Sequence, residues 1–153
     1  MPDILRHANG TWAGDLQSGS GTVSTESGAL RDAKVTFTSR FEEGITGSNP
    51  EELVAAAQAA CFSMALANNL SKQGHVPQEV RTRATLTLNK DEGGFKITKM
   101  HLETEGAVSG IDQMTFAQAA EITRQTCPIS VLLDRGLQAL TVNAKLLAAK
   151  DRA

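Results

Sequence analysis

The longest apolar stretch of the chain covers residues 53–66, where Gln58 and Ser63 are the only polar side chains. The stretch is rich in alanine, which favours a helix, and its apolar positions cover nearly all faces of that helix. A helix that is apolar all round in a globular protein has to be covered on every side. The pattern therefore predicts a central core helix with Cys61 buried near its middle.

The residues that flank this stretch set the ends of the predicted helix. Asn49 can cap the free amides of the first turn, and Pro50 suits the first helical position. Glu52 stands where the acid of a capping box would reach back. Lys72 and Gly74 are typical of a C-terminus, so the helix has about 23 residues and a length of roughly 35 Å. A membrane span is the competing interpretation, and the alanine content and short apolar run argue against it.

Residues 7–39 show no helical period and predict short strands separated by turns rich in Gly, Ser and Asp. These strands are expected at Thr11–Ala13, Gly21–Thr25 and Val35–Thr38. If the third strand continues straight, Phe37 and Ser39 share one face and Arg40 lies on the other.

Two stretches after the central helix predict a β-hairpin. The apolar residues that alternate with polar ones in the first strand are Val80, Ala84, Leu86 and Leu88. A turn at residues 91–94 leads to a second strand over 95–105, whose apolar phase slips between Ile97 and Met100. A bulge near Thr98 would explain the slip, because a bulge inserts one extra residue.

A second helix is predicted after Asp112. The residues expected on its buried face are Phe116, Ala119, Ala120 and Thr123. Pro128 ends or kinks this helix and can open a short one through Leu133, and residues 140–146 alternate as a final strand. The order of elements indicates an α+β fold with helices packed on an antiparallel sheet, and the whole chain, 1–153, is expected to be one domain.

Composition limits the classes of function. Of 153 residues, 41% are hydrophobic and 21% are charged, as in a globular protein, and the net charge is −2 without a basic run. We therefore expect neither nucleic acid nor a membrane as a partner. The N-terminal residues do not resemble a secretion signal, so a cytoplasmic location with reduced thiols is expected. His7, His75 and His101 are scattered and predict no metal site.

Two cysteines, 66 residues apart, are the candidate reactive groups. Their spacing fits neither a zinc ligand set nor a C-x-x-C pair. One interpretation of Cys61 is a small buried hydrophobe whose pKa is raised by burial. Cys127 stands at a predicted helix N-cap before Pro128, where free amides and the helix dipole favour the thiolate. By these local arguments Cys127 is the more acidic thiol.

Three segments carry a resemblance to a protein family. They are 49–53 (Asn-Pro-Glu-Glu-Leu), 59–66 (Ala-Ala-Cys-Phe-Ser-Met-Ala-Leu) and 127–130 (Cys-Pro-Ile-Ser). Together they resemble the OsmC and Ohr proteins, which are thiol-dependent peroxidases that reduce organic hydroperoxides. Residues 21–28, 40–42 and 94–99 are more similar to the OsmC branch. One departure is Gln58, where OsmC-like members commonly carry His.

The resemblance implies roles for four residues. Cys61 would be the peroxidatic cysteine, contrary to the local argument, and Cys127 would resolve its sulfenic acid by forming a disulfide. Arg40 would supply the cation that a desolvated thiolate needs and would bond to the hydroperoxide oxygens. Glu51 would hold Arg40 through a bidentate pair.

Two neighbouring carboxylates offer an alternative to that pair. Glu42 and Glu43 lie in the loop before the central helix and are interpreted as solvated charges. Either could replace Glu51 as the partner of Arg40.

The resemblance also implies an assembly and partners. Family members are intertwined homodimers, in which sheet from both chains wraps two long central helices. The substrates would be organic hydroperoxides and, more weakly, hydrogen peroxide, with no metal, haem or flavin cofactor. A dithiol such as dihydrolipoamide or a lipoylated protein would reduce the disulfide. Glu51 and Cys61 lie about 15 Å apart on one helix, so we hypothesise a site that combines Cys61 of one chain with Glu51 of its partner.

Two other functions remain open from the residues alone. One is a non-catalytic, stress-related binding or structural module whose two cysteines are inert core residues. The other is a peroxidase fold retuned to a different small electrophile. Thiol titration separates the first from a peroxidase, because inert buried thiols react slowly near neutral pH.

Overall fold

The computed structural model describes residues 1–148, and the chain divides into two compact units. The N-terminal unit spans Met1–Leu53, and the C-terminal unit begins at Val54. The boundary falls inside one continuous helix. The single domain over 1–153 stays a prediction.

The N-terminal unit contains an antiparallel sheet in the order β1-β2-β3. The strands are β1 (Ala8–Ala13), β2 (Ser20–Thr25) and β3 (Ala33–Thr36). Each predicted strand is confirmed, although β1 begins earlier than expected and β3 ends earlier.

The continuation of β3 through Thr38 is wrong, because a short helix α1 (Phe37–Phe41) begins there. Thr36 is the N-cap of this helix: its hydroxyl accepts a hydrogen bond from the amide of Ser39 at 3.0 Å. The Ser39 hydroxyl accepts one from the Thr36 amide at 2.9 Å, which completes a capping box with Ser in place of the usual acid. Arg40 therefore lies on a helical turn and not on a strand face.

The long helix α2 (Pro50–Lys72) begins and ends as predicted. The side-chain oxygen of Asn49 accepts a hydrogen bond from the amide of Glu52 at 2.8 Å. At the other end Gly74 has a φ of 87°, and its amide donates to the carbonyl of Ser71 at 3.0 Å. Such a left-handed glycine stops a helix without the penalty that a side chain would bring.

One face of α2 is buried and the opposite face is not. Phe62, Leu66 and Leu70 are 0% exposed. The residues exposed on the other side include Ala56, Ala57, Ala60 and Met64. The prediction of a helix covered on every side is therefore wrong for the single chain, and Cys61 is partly buried. An alanine-rich helix lacks the polar stripe that would mark its outer face in the sequence.

By length and composition alone α2 could cross a membrane. Core helices of soluble proteins pass the same test, so a single such helix is weak evidence for a span. The buried face of α2 packs in a core with Met100, Leu102 and Phe116 of the C-terminal unit.

The C-terminal unit holds a second sheet, in the order β4-β5-β6, and two helices after β5. The elements are β4 (Glu79–Asp91), β5 (Gly94–Ala107), α3 (Gln113–Thr126), α4 (Pro128–Asp134) and β6 (Ala139–Leu146). β4 and β5 pair antiparallel, but β5 and β6 pair parallel. The expectation of a purely antiparallel sheet is therefore wrong, because the crossover through α3 and α4 brings β6 back in the same direction as β5.

Two local predictions in this unit are confirmed. Lys99 pairs with Thr87 and Ile97 pairs with Leu88, so Thr98 is the extra residue of a bulge. The buried face of α3 consists of Phe116, Ala119, Ala120 and Thr123.

Candidate active site

The two cysteines of the C-terminal unit lie side by side. The thiol of Cys127 donates to the sulfur of Cys61, with 3.1 Å between the sulfurs. Both are free thiols; Cys127 is 0% exposed and Cys61 is partly buried. A disulfide bond is about 2.05 Å long, so an approach of roughly 1 Å would join them.

The short helix α4 presents its first turn to Cys61. Cys127 is the N-cap of α4, with Pro128 next, but its side chain makes no capping hydrogen bond to the described residues. The backbone of Ile129, in the first turn of α4, instead lowers the pKa of the Cys61 thiol. The prediction that the sulfur of Cys127 meets these free amides is therefore wrong for the described residues, because its side chain does not cap α4.

Opposing effects act on the pKa of Cys61. Burial is the largest and raises the pKa above the usual thiol value, as predicted, and the adjacent Cys127 raises it further. The hydrogen bond from Ile129 lowers it, but the net shift is upward. Burial in the C-terminal unit thus disfavours the Cys61 thiolate, and thiolate chemistry there calls for an added positive charge.

A second contact joins the same two helices beside the thiols. The side-chain nitrogen of Gln58 donates to the hydroxyl of Ser130 at 2.7 Å, and both residues are 0% exposed. Gln58 precedes Cys61 by three residues, and Ser130 follows Cys127 by three. Because side chains three apart lie on one helix face, α2 and α4 are joined by two rungs. We refer to Gln58–Ser130 as the polar rung and to Cys61–Cys127 as the thiol rung.

The sequence offered one signal for the polar rung. Gln58 stands out as a polar residue in an apolar helix, whereas Ser130 is distinguished only as part of the Cys-Pro-Ile-Ser segment. Equal spacings of three residues around the two cysteines are the feature from which a second contact could have been inferred.

The N-terminal unit brings Arg40 and Glu51 together. The Arg40 Nε donates to both carboxylate oxygens of Glu51, at 3.1 and 3.2 Å, and Nη2 donates to Oε1 at 2.6 Å. Glu51 is 8% exposed, whereas the side chain of Arg40 is 32% exposed. Glu42 and Glu43 are exposed, so the structure selects Glu51 as the carboxylate partner.

Backbone and side-chain bonds tie the elements that carry this pair. The amide group of Asn49 donates to the carbonyl of Ser39 at 3.1 Å, which holds α1 against the start of α2. The hydroxyl of Ser39 donates to the carbonyl of Ser48 at 2.9 Å. The guanidinium of Arg40 also lies 5.2 Å from the ring centre of Phe41, a cation–π distance. The pair is therefore fixed in its unit by a packed, hydrogen-bonded turn.

An apolar cleft of about 270 Å³ lies in the C-terminal unit. The residues that line it include Val54, Leu86, Ile97, Met100, Leu132 and Leu133. Val54 lies one helical turn before Gln58 on α2, and Leu132 and Leu133 belong to α4, so the cleft is bounded by the two helices that carry the rungs. A cleft of this kind accepts hydrocarbon groups.

Fold and site define the class as an α+β protein with two free thiols in contact. The model of the OsmC-like protein family matches residues 42–141. Peroxiredoxin OsmC of Escherichia coli is 48% identical over 130 residues, which cover 85% of this chain and 90% of that protein. The chain therefore belongs to the OsmC/Ohr family.

Other relatives agree with this assignment. The organic hydroperoxide resistance protein OhrB of Bacillus subtilis is 36% identical over 78 residues, covering 50% of this chain and 57% of that protein. Its crystal structure matches with a TM-score of 0.68 and 29% identity over 92% of this chain and 98% of that one. An OsmC-like protein from Mycoplasma pneumoniae matches with a TM-score of 0.73 at 14% identity, over 96% of this chain and 100% of that one. This last likeness shows the fold.

We expect a mild thiol oxidant such as diamide to join Cys61 to Cys127 within one chain. The sulfurs are already 3.1 Å apart, so little movement separates the thiols from a disulfide. Intact-protein mass spectrometry without reductant should show the loss of two hydrogens, together with the loss of both alkylatable thiols. The Cys127→Ser variant is the control and should keep its mass. A covalent link between chains, or an unchanged mass, would contradict the observed contact.

Proposed function

We propose that this chain is a thiol-dependent peroxidase that reduces organic hydroperoxides and, more weakly, hydrogen peroxide. The observation that carries the proposal is the 3.1 Å contact between two free thiols. The names of the relatives, a peroxiredoxin and an organic hydroperoxide resistance protein, support the same class of reaction. An inert structural pair of cysteines would not need this contact.

In the proposed reaction the Cys61 thiolate attacks one oxygen of the hydroperoxide. The O–O bond breaks, the leaving alkoxide takes a proton and departs as an alcohol, and Cys61 becomes a sulfenic acid. Cys127 then attacks the Cys61 sulfur, water leaves, and a disulfide forms. A dithiol, such as dihydrolipoamide or a lipoylated protein, restores both thiols by exchange and is itself oxidised to a disulfide.

Arg40 and Glu51 have supporting roles in this proposal. Within its unit Cys61 has a raised pKa, so a guanidinium is needed to favour the thiolate near neutral pH. The same guanidinium would stabilise charge on the leaving oxygen. Glu51, nearly buried and bonded to Arg40 through three contacts, would fix the direction of the guanidinium.

The apolar cleft supports an organic substrate. Its lining is almost entirely hydrocarbon, from α2, α4 and the β4–β5 hairpin. An alkyl or aryl group placed there would leave water, whereas hydrogen peroxide would gain nothing from it. This difference accounts for the proposed preference for organic hydroperoxides.

We further propose a cytoplasmic homodimer. The exposed apolar side of α2, with Ala56, Ala60 and Met64, supports a partner helix at this position, because apolar faces of this kind are usually covered in an assembly. Met64 is 75% exposed in the single chain. A homodimer of this kind is what the family resemblance implies.

The division of labour between the thiols gives the primary test. Cys61→Ser should abolish hydroperoxide consumption. Cys127→Ser should allow one oxidation of Cys61, first to sulfenic and then to sulfinic acid, without steady turnover by a dithiol. Peroxide consumption and intact mass are measured side by side. Full dithiol-driven turnover in both variants would sink the proposal, and exchanged phenotypes would make Cys127 the peroxidatic cysteine.

Replacing Arg40 tests the role of the guanidinium. Arg40→Met keeps length but removes charge and hydrogen bonds, so the pKa of Cys61 should rise and the peroxidase rate should fall by roughly 10²-fold. Arg40→Lys should restore only part of the rate, because an ammonium cannot form the bidentate pair. The pKa is read from the pH dependence of alkylation. Exposed Arg6→Met is the matched control, and an unchanged Cys61 pKa in Arg40→Met would remove Arg40 from the site.

Mixed dimers test whether one site uses two chains. Two variants, Glu51→Ala and Cys61→Ser, are each impaired alone and are co-expressed. If Glu51 serves the Cys61 of the partner chain, each mixed dimer contains one site with both groups intact and one site with neither. Random assortment makes about half of the dimers mixed, and one of the two sites in each mixed dimer is whole. About a quarter of the wild-type activity should therefore return. Absence of recovery, with mixed dimers confirmed by mass, would place Cys61 and Glu51 of each site on the same chain.

A further inference from the structure

The polar rung leaves one atom without a partner. In the described part of the chain, the side-chain oxygen of Gln58 is a buried acceptor that no hydrogen-bond donor reaches. The other end of the same amide is satisfied by Ser130 at 2.7 Å. A buried carbonyl without a donor destabilises the fold, because it has lost its hydrogen bonds to water without replacement, so its retention calls for an explanation.

The position of the Gln58 oxygen relates it to the proposed oxidation of Cys61. Gln58 and Cys61 lie three residues apart on α2, with their side chains on adjacent turns of one face. The reduced thiol rung offers the Gln58 oxygen no donor, since the Cys127 thiol is directed at the Cys61 sulfur. Oxidation of Cys61 creates a new O–H group at that sulfur. The sulfenic acid of the proposed function is thus a donor that arises three residues along the same helix face from the unpaired acceptor.

We propose that Gln58 is the residue that protects the oxidised intermediate, a role that depends on the proposed peroxidase function. Its oxygen accepts a hydrogen bond from the Cys61 sulfenic acid, while its nitrogen, through Ser130, holds the first turn of α4 and hence Cys127 in place. The neutral sulfenic acid is the form that Cys127 attacks, releasing water and forming the disulfide. The ionised sulfenate is the better nucleophile toward a second hydroperoxide, which would give sulfinic acid and an alcohol. An acceptor for the O–H favours the first reaction over the second.

The measurable quantity is a ratio of rates. In a single turnover without reductant, Cys61 sulfenic acid partitions between the disulfide and the sulfinic acid as hydroperoxide is increased. Intact mass gives both products, and their ratio does not depend on how fast the sulfenic acid forms. A mutation that only lowers stability, or slows the first step, leaves this ratio unchanged.

The test uses the double variant Gln58→Met with Ser130→Ala. Removing both partners of the polar rung leaves neither of them as a buried unpaired group, so the variant is expected to fold. Its ratio of disulfide to sulfinic acid should fall by roughly tenfold, as expected for the loss of hydrogen bonds at the intermediate. Gln58→His, which can donate with one ring nitrogen and accept with the other, should stay within about threefold of wild type. Gln118→Met, an exposed glutamine on α3, is the matched control.

The outcomes separate this inference from the proposed function. A wild-type chain that forms no disulfide with hydroperoxide contradicts the proposed function itself. A wild-type chain that forms the disulfide, with an unchanged ratio in the double variant, overturns only the role of Gln58. Should the double variant not fold, Gln58→Met alone decides, because it removes the accepting oxygen: a fall of at least about threefold supports the role, and an unchanged ratio refutes it.

Discussion

The contact between the sulfurs of Cys61 and Cys127 is the constraint around which the C-terminal unit is arranged. Two residues that are 66 positions apart in the sequence come within 3.1 Å of each other. The contact exists because α3 ends at Thr126 and Pro128 starts α4, so Cys127 alone separates the two helices and the chain changes direction at the sulfur. Without that abrupt change of direction, the first turn of α4 would not reach Cys61.

The contact between the two sulfurs favours a disulfide but does not favour a thiolate. Proximity of the thiols makes an internal disulfide accessible with little movement, which shortens the life of any oxidised intermediate. Burial, however, disfavours the Cys61 thiolate, which the proposed reaction needs first, and the backbone of Ile129 offsets only part of that effect. The N-terminal unit holds a guanidinium in the orientation fixed by Glu51, and its charge is of the kind that a buried thiolate requires.

The two rungs between α2 and α4 differ in the freedom that they allow. The polar rung is a closed hydrogen bond between fully buried groups, so it fixes the register of the helices. In the proposed reaction the thiol rung has to shorten as a disulfide forms and lengthen as it is reduced. A fixed contact beside a changing one confines the movement to the sulfurs, which suits a redox pair in a packed core.

The sequence by itself determined the elements whose signals are local. The cap at Asn49, the stop at Gly74, the bulge at Thr98 and the buried face around Phe116 were all predictable, because each depends on a few neighbouring residues. The segments around Cys61 and Cys127 also identified the family. The turn of the chain into α1 at Phe37 was missed because the capping box uses Ser39 where an acid is usual.

Only the tertiary structure decided the features that depend on distant residues. The parallel pairing of β6 with β5 and the hydrogen bond of Gln58 with Ser130 join parts of the chain that are distant in sequence, and no local pattern encodes their contact. The exposed side of α2 likewise depends on which other elements pack against the helix. The same limit applies to the local argument about the thiols. That argument placed the sulfur of Cys127 at the free amides of α4, but among the described residues Cys127 makes no capping hydrogen bond, and the backbone of Ile129 lowers the pKa of Cys61. A helix start acts on whichever sulfur the folded chain places before it, and that placement is a property of packing.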